Sequence, residues 1–138
     1  MEALMISTAT RGTAGILLLT IVLVESGGLY MYAVLRKRVV LTPFQQAFAR
    51  AGHAHAGVLV ILSLVVLFYA DVAGLDGPLG IAARSAVPLA AILMPAGFFL
   101  SSMGDGRTAP SRLVWLLFAG AASLAIGVTA LGLGLLLF

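Results

Sequence analysis

The chain of 138 residues has no cysteine and very few charged residues. Without cysteine there is no disulfide, no thiolate metal ligand and no cysteine nucleophile. Only 9% of the residues are charged and 62% are hydrophobic, whereas a soluble protein has about 25% charged residues. So few charges cannot cover a water-soluble fold, so a soluble enzyme and a disordered chain are excluded. The net charge of +3 is too small to indicate nucleic-acid binding.

Long apolar segments dominate the sequence instead. A helix needs about 20 apolar residues to cross the hydrocarbon core of a bilayer. Four segments reach this length: 12–35, 49–70, 79–102 and 112–138. They are too long and too uniformly apolar for barrel strands, so we predict an all-α integral membrane protein with one four-span domain. The basic run 36–38 after the first segment is typical of a stop-transfer signal, which predicts a retained helix.

Short polar connections separate the four segments. Thr42 and Pro43 form an N-cap and first-turn pair, which predicts that the second helix begins at Pro43. Residues 76–78 and 104–110 are rich in Gly, Pro and Asp, which favour turns. Short connections make successive helices antiparallel, so we predict an up-down four-helix bundle. A row of small residues on the fourth segment, Ala119, Ser123 and Gly127, is expected to pack within the bundle or to form a self-association face.

The two histidines of the chain, His53 and His55, lie two residues apart in the second segment. They lie about 10 residues past Pro43, or roughly 15 Å along the helix, which places them inside the bilayer near its edge. Two positions on a helix at this spacing point about 200° apart. The two imidazoles therefore cannot bind one ion from one helix, and each is offered to a separate site.

The lack of other ligands favours a haem over a bare metal ion. Imidazole suits iron, copper and zinc, but Glu25 is the only other ionisable group expected inside the membrane. A haem iron needs only one or two axial imidazoles, because the porphyrin brings four nitrogens. Small residues around the histidines, among them Gly57 four residues after His53, leave room for a flat macrocycle. We therefore predict that His53 and His55 are haem ligands.

Two charged residues near the histidines have more than one interpretation. Arg50 lies three residues before His53, one turn nearer to water, and is a candidate partner of a haem propionate or of a lipid head group. Glu25 lies at about the same depth as the histidines. It is a candidate for a hydrogen bond to a ligand imidazole, for proton transfer, or for a protonated carboxyl bonded to a neighbour.

Three readings of these polar residues therefore stay open. In the first, the protein binds haem. In the second, Glu25 and the histidines form the relay of a proton- or metal-coupled transporter or channel. In the third, the histidines make hydrogen bonds between helices, and the protein is a structural or assembly partner of a respiratory complex.

The segment Gly52–Leu59 reads Gly-His-Ala-His-Ala-Gly-Val-Leu and resembles the His-x-His helix of haem–copper oxidase catalytic subunits. It resembles more closely small four-span bacterial membrane proteins that carry the same motif. The segment Ser26–Tyr30 is similar to the Gly-rich, aromatic end of the first span in those proteins. The resemblance implies that the chain is like one four-helix arc of the oxidase subunit, and that a homotrimer rebuilds the ring of three arcs. It implies a haem b clamped between His53 of one protomer and His55 of its neighbour.

The resemblance also implies a place in a bacterial cytoplasmic membrane and electron transfer with a quinone or cytochrome partner. The sequence lacks the further histidines of a copper centre, so oxygen reduction is not expected and no catalytic residue is assigned. Six Lys and Arg residues lie beside the first and third connections and two lie on the other side. This count places those connections in the cytoplasm, whereas the corresponding oxidase helix begins on the outer side, so the orientation stays open.

Overall fold

The computed structural model describes residues 6–137 and is all-α. Its long helices are α1 (Thr8–Leu35), α2 (Pro43–Val72), α3 (Gly77–Ser102) and α4 (Trp115–Leu137), the last preceded by a 3-10 turn, Arg112–Val114. All four are long and apolar enough to cross a membrane, which confirms the prediction of an all-α, multi-pass membrane protein. The last residue of the fourth predicted span, Phe138, lies outside the described residues.

The start of α2 shows how the sequence sets a helix boundary. Thr42 is the N-cap, and its side chain accepts a hydrogen bond from the backbone N–H of Gln45. The Gln45 side chain in turn accepts from the backbone N–H of Thr42, which completes a capping box. Pro43 occupies the first helical position, where its missing N–H costs nothing. The predicted helix start at Pro43 is therefore confirmed.

The helices pack in chain order: α1 on α2, α2 on α3, and α3 on α4. The contact between α3 and α4 is the most extensive. A buried apolar cluster joins the last three helices, and it includes Val66 of α2, Val87 of α3 and Ala130 of α4. This cluster lies towards the ends of the helices that are far from the histidines, so it fixes α2 and α3 without filling the space around His53.

Small residues let α4 approach α3 closely. Ser123 donates a hydrogen bond to the backbone oxygen of Ala86 at 2.8 Å, and Gly127 packs on Val87. Both belong to the predicted row of small residues, and both pack within the chain. The third member of the row, Ala119, is exposed, and its neighbour Gly120 is buried instead.

Helix α1 lies at the edge of the bundle. Only 6% of its most apolar window is buried, compared with 44% for α3. Its one buried leucine, Leu17, packs on Val60 and Leu67 of α2. Most of α1 therefore faces outwards, towards lipid or another molecule.

Candidate functional site

The two histidine rings of α2 face different neighbouring helices. The His53 ring packs on α1, where a Cβ atom added at Gly27 would lie 3.0 Å from Nδ1 and one added at Gly28 would lie 3.7 Å from Nε2. The His55 ring packs on Phe98 of α3, with ring centroids 4.9 Å apart. The divergence follows from the helical spacing of two residues, and the two imidazoles share no pocket.

His55 has a defined hydrogen-bond partner. Its Nδ1 lies 2.7 Å from the backbone oxygen of Ala51, one turn earlier on α2. A carbonyl oxygen can only accept a hydrogen bond, so this contact assigns a proton to Nδ1; in the neutral tautomer that this selects, Nε2 carries the lone pair. Histidines that bind metals through one ring nitrogen typically donate the other N–H in this way.

His53 makes no hydrogen bond with any residue in 6–137. Its half-buried ring lines a groove of about 420 Å³ between α1 and α3, with α2 as the floor. Two threonines, Thr13 and Thr20, also line the groove, but their hydroxyls donate to backbone oxygens of their own helix. Both threonines have thus used their one hydroxyl proton, whereas the His53 ring makes no hydrogen bond among the described residues.

The other walls of the groove are apolar. They comprise Ile16, Leu17, Leu23, Val24 and Gly27 of α1, Ala56 and Val60 of α2, and Pro88, Ala91, Ile92, Pro95 and Phe99 of α3. The volume lies within the range of about 300–1,000 Å³ that is typical of small-molecule sites. The groove therefore combines an apolar lining with one imidazole.

The remaining predicted site residues are not part of the groove lining. Gly57 faces α1, where the side chain of Val24 lies 3.9 Å from its Cβ position. Glu25 is exposed and makes no hydrogen bond to His53 or His55. Arg50 is exposed and lines a different pocket, which it shares with Lys37. The structure of a single chain thus does not bring Glu25 or Arg50 together with the groove.

Few metal-ligating side chains lie near the groove. Residues 6–137 contain no group of three or more His, Cys, Asp or Glu side chains that could hold a metal ion. A haem needs one or two imidazoles and an apolar slot, and His53 and its groove offer both. The nitrogen edge of His53 lies against Gly27 and Gly28 of α1, and Gly27 is itself part of the groove lining.

A half-buried ion pair lies at the ends of α2 and α3 that are far from the histidines, and it was not predicted from the sequence. Arg84 donates to the Asp71 carboxylate at 2.9 Å, and it also donates to the backbone oxygens of Leu75 and Ala70. The backbone N–H of Ser7, just before α1, donates to the second Asp71 oxygen at 2.8 Å. Arg84 and Asp71 are not among the predicted site residues. The two residues carry opposite charges and lie at the facing ends of two helices joined by a short turn. This arrangement was the signal in the sequence that could have predicted the ion pair.

No protein-family model, curated protein or solved structure matches this chain.

Proposed function

We propose that this protein binds haem b in the membrane and transfers electrons, with His53 and His55 as axial ligands. The observation that carries the proposal is the state of His53, which is half-buried at the wall of an apolar groove and has no hydrogen-bond partner among residues 6–137. A polar group without a partner in an apolar medium costs free energy. Coordination of an iron atom offers this imidazole a partner.

The geometry of His55 supports the same role. Its Nδ1 is already bonded to the Ala51 oxygen, so Nε2 is free to act as a ligand. The resemblance of Gly52–Leu59 to the His-x-His helix of haem–copper oxidases also supports it. A bound haem would supply one-electron redox chemistry, and a membrane quinone or a cytochrome is the partner class that such chemistry serves.

The divergent rings favour a haem shared between protomers. One helix presents His53 towards α1 and His55 towards α3, so a haem with two histidine ligands needs one ring from each of two chains. A homotrimer in a bacterial cytoplasmic membrane is the assembly that the resemblance favours. Arg50 is left out of the haem site in this proposal, because it lines a separate pocket.

Absorption spectra of the detergent-purified protein test the proposal. After supplementation with haem, the oxidised and reduced protein should show the bands of a low-spin haem with two histidine ligands. His53→Ala and His55→Ala should each abolish these bands, while Thr20→Val, which changes the same groove without touching a ligand, should retain them. A wild-type protein without a Soret band, or an unchanged spectrum in His53→Ala, would contradict the proposal.

Co-expression tests the shared site. A protomer carrying His53→Ala retains His55, and a protomer carrying His55→Ala retains His53. An interface between two such protomers holds one intact ligand of each kind, so mixed oligomers should recover part of the haem that both single variants lose. Failure of the mixture to recover haem would rule out sharing between protomers.

A further inference from the structure

A second pocket lies between the end of α1 and the first turns of α2. Its volume is about 480 Å³, and its lining is Met31, Tyr32, Val34, Leu35, Lys37, Leu41, Gln46 and Arg50. The lining contains two cations and no acidic residue. Within residues 6–137, neither Lys37 nor Arg50 forms a salt bridge or a side-chain hydrogen bond. The pocket therefore has an unbalanced positive charge.

The backbone at Lys37 is unusual. It has a φ of 57°, and among the described residues it is the one non-glycine residue with a positive φ. The N–H of Lys37 bonds to the Val34 oxygen and the N–H of Arg38 bonds to the Ala33 oxygen, which is the Schellman ending of a helix. Glycine normally occupies this position because a Cβ atom is unfavourable there. A lysine in a strained conformation, on the wall of a basic pocket, points to a role for its side chain.

The depth of the pocket matches that of lipid head groups. Helix α2 has 30 residues and is therefore about 45 Å long, whereas the hydrocarbon core is about 30 Å thick. The apolar segment of the second span begins near residue 49, so the excess places the first turns of α2 in the interfacial region, and Arg50 begins the third turn. Lys37 follows the last turn of α1 at the same edge. Beside these cations, Val34, Leu35 and Leu41 offer apolar contacts.

We propose that this pocket binds the phosphate of an anionic phospholipid, with Lys37 and Arg50 as the cations that contact it. Basic pockets between transmembrane helices at the membrane edge bind such head groups, and hydrogen bonds between charged partners are the stronger kind. The proposal is independent of the haem proposal, because Lys37 and Arg50 take no part in the haem site and the two pockets are separate.

Spin-labelled lipids measure the binding directly. The full chain is placed in vesicles of phosphatidylcholine with a minor fraction of spin-labelled phosphatidylglycerol, and the immobilised fraction of the label is compared with that of labelled phosphatidylcholine. The wild type should select phosphatidylglycerol. Lys37→Gln and Arg50→Gln should each weaken the selectivity about tenfold, as expected when one charge-assisted hydrogen bond is lost. Arg38→Gln removes the same charge from an exposed residue outside the pocket and should change it less than about threefold.

A glycine variant separates binding from folding. Lys37→Gly relieves the positive φ, so it should raise the thermal unfolding midpoint while it lowers the selectivity for phosphatidylglycerol. A merely structural lysine would not show opposite changes in these two quantities. Unchanged selectivity in Lys37→Gly, or a loss in Arg38→Gln as large as that in Lys37→Gln, would overturn the proposal. An equal loss in Arg38→Gln would show that phosphatidylglycerol is attracted to basic residues in general and not to this pocket.

Discussion

Replacing Arg84 by methionine should destabilise the fold strongly. The change keeps a long apolar side chain but removes the donors to the Asp71 carboxylate and to the backbone oxygens of Leu75 and Ala70. The Asp71 side chain is only 6% exposed, so it would be left as a nearly buried charge. It would retain its hydrogen bonds with Ser7.

The magnitude follows from this burial. Breaking a buried ion pair by removing one partner costs about 3–5 kcal/mol. The Arg84 side chain is 23% exposed, so we expect the lower end of this range, about 3 kcal/mol in the free energy of unfolding. Asp71→Asn combined with Arg84→Met should cost less than the sum of the two single changes, because the unpaired charge is then removed.

Unfolding in mixed micelles of a mild and a denaturing detergent, followed by tryptophan fluorescence, measures these differences. Arg11→Met is a suitable control, since Arg11 is exposed and its guanidinium bonds only to Thr8. It should change the free energy of unfolding by less than about 0.5 kcal/mol. A loss below about 1 kcal/mol in Arg84→Met, or an equal loss in Arg11→Met, would show that the pair does not stabilise the fold.

Two further changes test the packing and the capping. Gly97→Ala should destabilise the protein by about 1–3 kcal/mol, because the new Cβ atom would collide with the backbone of Leu117. Gly132→Ala has open space around it and should not destabilise the protein in the same unfolding assay. Thr42→Ala removes the acceptor for the Gln45 N–H and should cost about 1 kcal/mol. A Gly132→Ala loss as large as that of Gly97→Ala, or a fully stable Thr42→Ala protein, would contradict these expectations.

The sequence was sufficient to predict the helices because a bilayer admits few alternatives. Only helices satisfy the backbone hydrogen bonds of such long apolar segments. The capping residues Thr42 and Pro43 predicted the first residue of α2 correctly. The divergence of His53 and His55 likewise follows from the helical period alone. These features depend only on residues that are close together in the sequence, so one sequence is enough to predict them.

Features that depend on contacts between helices could not be predicted in this way. Apolar residues surround each span, so the sequence does not show which face packs inwards. The opposite charges of Arg84 and Asp71, 13 residues apart, are visible in the sequence, but their contact depends on how α3 folds back on α2. The left-handed conformation at Lys37 gave no signal, because glycine and not lysine is the residue that marks such a turn.

The position of α1 at the edge of the bundle has a consequence for assembly. A seven-residue connection, 36–42, joins it to the rest of the chain, and nearly all of its contacts are with α2. Two chains that exchanged their first helices would therefore rebuild every interface that each has alone. Domain swapping of this kind is a low-cost route to an oligomer, and it would form the His53 groove from two polypeptides through the same helix contacts that one chain makes alone.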